Sequence, residues 1–129
     1  MPVWYKIDKD RRLVESFATG VLRKDDALGH QLQLLKDSDF EPDFSQVMDL
    51  TQVTGFEVTD AEIRYLAERT VFSLGSRRAI IVATDEAYGL ARMFEIIREL
   101  RGETGIRVVR SHDEANEWLL APEPAETHG

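Results

Sequence analysis

The spacing of apolar residues changes several times along the chain between the period of a strand and the period of a helix. Val3–Ile7 is short and rich in β-branched and aromatic residues, and Leu13–Ala18 alternates between two faces. Both patterns are typical of strands. The connection between them, residues 8–12, is short and fully charged, so the sheet is predicted to begin with an antiparallel hairpin.

Four later segments have apolar residues at helical spacing, and each follows a side chain that can cap a helix. The second has a capping box, Thr59 with Glu62, and Gly75 stands where this helix is predicted to end. The apolar face of the third helix is predicted to consist of Leu90, Met93, Phe94, Ile97 and Leu100. The four predicted caps are Asp25 or Asp26, Thr59, Thr84 or Asp85, and Ser111.

Three apolar runs, Phe44–Leu50, Ala79–Ala83 and Ile106–Val109, alternate with these helices. Ala79–Ala83 is apolar throughout, which is typical of a strand covered on both faces. Alternating strands and helices imply parallel pairing through crossover helices. The sequence therefore predicts a single α/β domain in the order ββαβαβαβα. Its mixed, mostly parallel sheet has five strands, and about four helices cover both faces.

The domain is predicted to span residues 1–120 and to be followed by a flexible tail, Ala121–Gly129, which contains two prolines and no large apolar residue. The first residues lack the apolar segment of a signal peptide. No apolar run approaches the roughly 20 residues that span a membrane. These features favour a cytoplasmic protein.

Composition excludes several kinds of chemistry. The chain has 129 residues and no cysteine, so disulfides, thiol catalysis and cysteine-bound zinc are excluded. Its formal net charge is −8, which disfavours binding to nucleic acid or to an anionic membrane surface. The expectation is a protein with no nucleic-acid partner and no membrane span.

Catalytic and metal-binding patterns are weak. The three histidines are His30, His112 and His128, and none stands in a nucleophile motif or at the spacing of a metal site. His112 begins a helix, where an imidazole is usually solvated. No glycine-rich loop that could hold a phosphate follows a strand. We therefore expect no enzyme activity, no metal and no cofactor.

The third helix contains the candidate contacts to a partner or ligand. Glu95 lies three residues from both Arg92 and Arg98, so ion pairing on a solvated face is the simplest interpretation. Arg92 could instead contact an anion or a partner, with Tyr88 and Gly89 in the first turn of the same helix. A glycine there lowers helix stability by up to ~1 kcal/mol, which close packing or ligand access would offset.

Thr59 is the candidate switch position. Its main role is predicted to be the cap of the second helix. A phosphoryl group would also be tolerated there, because the helix dipole favours negative charge at the N-terminus.

The segment Asp49–Ile63 resembles the STAS-type anti-sigma-factor antagonist domains. In those domains a strand ends in Asp-Leu-Ser and a nearby Asp-Ser-Ser-Gly begins a helix. The chain also resembles the SpoIIAA-like (STAS-like) family of uncharacterised bacterial proteins. The matching segments are Asp49-Leu50, Arg77–Ala79, Tyr88–Met93 and the Glu-Ala…Trp-Leu pattern of residues 114–119.

This resemblance implies a fold that is also shared with the CRAL-TRIO lipid-binding domains. The Asp-Ser-Ser-Gly motif, whose first serine is phosphorylated in partner-switching members, is absent from this sequence. Thr59 is the only hydroxyl residue close to its place. The resemblance therefore implies the fold and a regulatory role, although this chain lacks the serine that is phosphorylated in those members.

Two functions follow from these observations. The first is a non-enzymatic regulatory module that binds a protein partner, and the second is a carrier of a small apolar, lipid-like ligand. A carrier should contain an apolar pocket of roughly 300 Å³ or more. An interaction module should have a closed core and an exposed apolar patch, and a homodimer is one arrangement left open.

Overall fold

The computed structural model describes residues 2–122. The predicted α/β class, element order and sheet size are confirmed. Most of the predicted tail, residues 123–129, lies outside the described residues. The elements are β1 (Val3–Asp8), β2 (Leu13–Arg23), α1 (Lys24–Lys36), β3 (Ser45–Glu57), α2 (Asp60–Ala67), β4 (Arg78–Ile81), α3 (Asp85–Leu100), β5 (Ile106–Val109) and α4 (His112–Leu120).

The five strands lie in sequence order in one sheet. β1 pairs with β2 in antiparallel fashion, and the remaining pairs are parallel. Successive right-handed crossovers in one direction place α1, α2 and α3 on the same face of the sheet. Packing agrees, since Ile80 shares an apolar cluster with Ala91 of α3, whereas its neighbour Ile81 clusters with Ala115 of α4. One face is thus covered by three helices and the other by α4.

β2 and β3 are longer than predicted. The apolar pattern ends these strands at Ala18 and Leu50, but the structure continues them to Arg23 and Glu57. The extra residues of the two strands pair with each other beyond the end of β4. Pairing between neighbouring strands decides the conformation here, because this segment has too many polar residues and glycines to indicate a strand by itself.

α2 is shorter than predicted. It ends at Ala67, and Gly75 lies outside it without the left-handed backbone expected of a terminating glycine. The chain is not helical after Ala67, and Val71 and Phe72 pack into an apolar cluster with Phe40 and Phe44. Burying these two apolar side chains stabilises the protein more than about two further turns of helix would.

The predicted apolar face of α3 is correct at its centre and wrong at its end. Phe94 packs against the core, but Leu100 is 81% exposed. Arg98 takes the inward position instead and is buried. The expectation that Arg98 pairs with Glu95 on a solvated face is therefore wrong, because Arg98 donates through Nε to Glu103 at 2.7 Å.

The turn after α3 carries Glu103 back towards Arg98. Gly102 has a φ of +96°, a left-handed conformation that favours glycine. Gly105 lies against the backbone of Ser76, where an added Cβ would stand 1.9 Å from the carbonyl oxygen. These two glycines let the chain reverse tightly and bury the Glu103 carboxylate.

Glu103→Gln should destabilise the protein strongly. The change removes the carboxylate that bonds to both Arg78 and Arg98, and breaking a buried pair in this way costs about 3–5 kcal/mol. The free energy of unfolding from urea titrations measures the loss. The control Glu68→Gln breaks an exposed pair with Arg101 and should cost less than about 1 kcal/mol. Equal losses would contradict the importance of the buried pair.

Thr59→Ala should cost about 1 kcal/mol of stability, the usual loss for a helix cap. The Thr59 hydroxyl accepts from the Glu62 amide at 3.1 Å, and the Glu62 carboxylate accepts from the Thr59 amide at 2.9 Å. Thr59→Asp keeps a capping oxygen and should retain nearly full stability, as thermal unfolding of both variants would show. If Thr59→Asp destabilises the protein as much as Thr59→Ala does, helix capping is not the contribution of Thr59 to stability.

Candidate functional site

A cavity of about 140 Å³ lies between the sheet and the helices α1, α2 and α3. We call it the helix-side cavity. The inward positions Ala87 and Ala91 carry only methyl groups, so α3 lies close to the sheet while larger side chains on either side form the walls. Its apolar lining includes Leu22, Leu34, Leu50, Ile63, Leu66, Ile80, Leu90 and Phe94.

Four of the lining side chains are polar: His30 and Gln31 of α1, Gln46 of β3 and Arg78 of β4. His30 and Gln46 are buried. Since Gln46 and Arg78 are neighbours in the parallel register of β3 and β4, the two strands place them side by side. The cavity thus has apolar walls and a small polar region, the usual composition of a site for a small molecule.

Three of these polar residues, His30, Gln46 and Arg78, belong to one chain of hydrogen bonds. Ser16 Oγ lies 2.7 Å from His30 Nε2 and accepts from Gln46 Nε2 at 3.1 Å. Gln46 Oε1 in turn accepts from Arg78 Nε at 3.1 Å. The Ser16 hydroxyl is thus hydrogen-bonded both to the Gln46 amide and to the His30 ring.

Arg78 continues the chain to Glu103. Its Nη1 donates to both carboxylate oxygens, at 2.9 and 3.2 Å. Glu103 also accepts from Arg98 Nε, and Arg98 Nη1 donates to the carbonyl oxygens of Ala67 and Arg69 at 3.1 and 3.3 Å. Two guanidinium groups therefore share one carboxylate, and one of the two, Arg78, lines the cavity.

His30 is neutral at ordinary pH. Burial and the positive charge of Arg78 lower the pKa of His30 from 6.5 to about 4. The sequence pattern did not identify His30 as a site residue. Its neighbours offered a signal, however: Ser16 and Gln46 are polar residues at inward positions of apolar strands, and a buried polar group needs a partner.

Gln31 connects α1 to α2. Its Nε2 donates to the carbonyl oxygen of Leu66 at 3.2 Å. The other amide atom, Oε1, is buried and accepts no hydrogen bond from the residues that the structure describes. An unpaired acceptor in an apolar cavity costs free energy, which a ligand or a water molecule that donates to it would recover.

The predicted contacts Tyr88, Gly89 and Arg92 lie together on α3, but none of them lines the helix-side cavity. Arg110 stands over the Tyr88 ring, with its guanidinium carbon 4.8 Å from the ring centroid. Arg92 pairs with Glu95 at 2.8 Å, as the sequence indicated. A Cβ added to Gly89 would meet no described heavy atom within 4 Å, so close packing does not explain this glycine.

The candidate switch position, Thr59, lies apart from these residues at the start of α2. It is exposed, and both its amide and its hydroxyl form the capping box with Glu62. The structure therefore gives Thr59 the capping role that its spacing predicts.

The second face of the sheet is only partly covered, because α4 packs against β4 and β5. On β1, Trp4 is 45% exposed and stacks on Phe17 with ring centroids 5.7 Å apart. A cleft of about 230 Å³ lies beside Phe17 and is lined also by Val47 and His112. The cleft is also lined by the polar residues Arg11, Glu15 and Asn116, so this open region of β1 and β2 presents one exposed aromatic side chain, Trp4, in polar surroundings.

His112 is not simply solvated, contrary to the expectation from its position. Its Nε2 lies 3.0 Å from Asp49 Oδ2. Burial raises the pKa of Asp49, but hydrogen bonds from Thr51 and His112 outweigh this effect and hold the pKa below its usual range. The pair joins the first turn of α4 to β3.

Within residues 2–122, no group of three or more His, Asp and Glu side chains is arranged to hold a metal ion. Across the same residues, none of the helices has the length and apolar character needed to cross a membrane.

Comparisons with known proteins support the fold. No protein-family model matches the sequence. A search of curated proteins also finds no match. The structure is similar to the crystal structure of an uncharacterized protein of the DUF3478 family with a SpoIIAA-like fold from Shewanella loihica PV-4. The TM-score is 0.58 and the identity 17%, over 91% of this chain and 93% of that chain. The chain therefore has the SpoIIAA-like fold that its sequence motifs predicted.

Proposed function

We propose that this protein binds a small apolar molecule in the helix-side cavity and does not convert it chemically. The cavity itself is the observation that supports the proposal, because it forms a concave apolar site between the sheet and three helices. Its walls are apolar, and the few polar groups are gathered on α1, β3 and β4. Such a site recognises the body of a ligand by burial and its orientation by one or two polar contacts.

The size of the cavity limits the ligand. At about 140 Å³ it is smaller than the volume expected for a carrier of lipid-like molecules. An engineered protein cavity of about 150 Å³ lined by apolar side chains binds benzene. The ligand that fits without movement of the helices is therefore a single ring or a short aliphatic chain.

The Ser16–His30 pair supports a binding function without catalysis. A serine hydroxyl that is hydrogen-bonded to a neutral imidazole resembles a nucleophile and its base. Here, however, the Ser16 side chain has an exposure of 0%, and its oxygen already accepts from Gln46. A substrate atom has no path to this oxygen, so the pair acts as a structural connection between β2 and α1.

A regulatory protein-interaction module is the second candidate. The exposed Trp4, stacked on Phe17 at the open part of the sheet, is the observation that favours it. The SpoIIAA-like fold is shared with anti-sigma-factor antagonists, which act by binding proteins. The two functions use opposite faces of the sheet, so a variant on one face tests one function and leaves the other intact.

Toluene should bind to the wild-type protein, and Ala27→Leu should abolish the binding. Ala27 lies on α1 and lines the cavity, so the larger side chain occupies the volume that the ligand needs. Leucine is also a good helix former, and we expect the variant to be at least as stable as the wild type. Chemical-shift changes in a protein NMR spectrum during toluene titration measure the binding.

Ala61→Leu is the matched control. It makes the same change on the exposed side of α2, outside the cavity lining, and should leave toluene binding unaltered. Absence of toluene binding by the wild type would overturn the proposal and favour the second candidate.

The structural role of His30 predicts a loss of stability in mild acid. The pKa is 6.5 in the unfolded chain and about 4 in the folded one, so the unfolded state binds more protons between these values. Stability should be complete above pH 6.5 and fall by about 2 kcal/mol on going from pH 7 to pH 4.5. Urea titrations over this range measure it. His30→Gln should show a clearly shallower decline, and an equal decline would contradict this role.

A further inference from the structure

The polar region beside the helix-side cavity has an excess of positive charge. Arg78 and Arg98 both lie in the interior, and within residues 2–122 Glu103 is the single carboxylate that bonds to them. His30, the other titratable group of the network, is neutral. A buried charge without a counterion is costly, so this cluster can be stabilised by one further negative charge.

The excess charge is concentrated on the side of the cavity. Arg98 donates to Glu103 and to two backbone carbonyl oxygens at the C-terminal end of α2, and it does not line the cavity. Helix C-terminal carbonyls carry partial negative charge and stabilise a cation there. Arg78 lines the cavity, and its guanidinium carbon lies 4.2 Å from the centroid of the Phe72 ring, which also lines it.

We propose that the ligand of the helix-side cavity is a small apolar monocarboxylate whose carboxylate pairs with Arg78. This inference rests on the proposed binding function and names the class of ligand. The apolar body of the acid occupies the space between the sheet and α1, α2 and α3. With the single negative charge of the ligand, the charges of Arg78, Arg98, Glu103 and the ligand add up to zero.

The other polar groups of the cavity agree with this orientation. Gln31 Oε1 is an acceptor and repels an anion, so the carboxylate is directed away from α1 and towards β4. A guanidinium binds a carboxylate with short, charge-assisted hydrogen bonds, which are about twice as strong as neutral ones. A cationic ligand would add to the positive charge already present, and we expect it to be rejected.

Three probes of nearly equal size test the proposal: benzoate, benzamide and toluene, titrated calorimetrically into the whole protein at pH 7. Benzoate should bind at least about tenfold more tightly than benzamide, which has the same shape without the charge. Ala27→Leu should abolish benzoate binding, and Ala61→Leu should preserve it. Arg78→Gln should bring benzoate and benzamide to within about threefold of each other, whereas Arg92→Gln, a change on the outer surface of α3, should keep the tenfold difference.

The outcomes separate this inference from the proposed function. If toluene and benzamide bind but benzoate binds no better, the carboxylate assignment is overturned and the binding function stands. If none of the three binds, both are overturned. Benzoate binding that survives Ala27→Leu would place the anion on the surface and also overturn the inference. Should Arg78→Gln fail to fold, the comparison of the three probes on the wild-type protein still decides the matter.

Discussion

The buried carboxylate of Glu103 holds the helix-covered half of the molecule together. It accepts hydrogen bonds from Arg78 at the start of β4 and from Arg98 near the end of α3. From Arg78 the hydrogen bonds continue through Gln46 to the network that ends at His30 of α1. One set of polar contacts therefore connects the sheet to α1, to α3 and to the turn after α3. Because charged groups lose hydration on burial, none of these contacts can be removed without leaving another group unpaired.

This network also explains where the cavity lies. Its hydrogen bonds fix the distances between the strands, α1 and the end of α3. The three helices are thus held at a spacing that the apolar residues do not fill completely, and a void of about 140 Å³ remains beside Arg78. A site formed in this way is rigid at its polar end, which favours recognition of one defined ligand group.

The two faces of the sheet are suited to different interactions. The face under α1, α2 and α3 is covered by these helices and contains the cavity, whose walls are mostly apolar. The opposite face is covered by α4 over β4 and β5 and leaves Trp4 and Phe17 accessible. Because neighbouring residues of a strand point to opposite faces, a change at one position affects one surface and leaves the other nearly undisturbed.

The sequence by itself determined the class, the order of the elements and the caps of α2, α3 and α4, because these depend on residues close together in the chain. Thr59 with Glu62 and the apolar run around Ile80 are examples, and the structure confirms both. The predicted cap of α1, Asp25 or Asp26, is wrong, because the helix begins at Lys24 with Arg23 as its N-cap and the Asp26 carboxylate accepts from the Arg23 amide. The end of α2 and the extension of β3 needed tertiary contacts. The site itself was decided only by the fold: Arg98 shares the inward face of α3 with Ala91 and Phe94, but its charge predicted a solvated position. It is buried because a glycine turn brings Glu103 against it. Spacing along a helix records which residues share a face, but not which distant side chain will meet them.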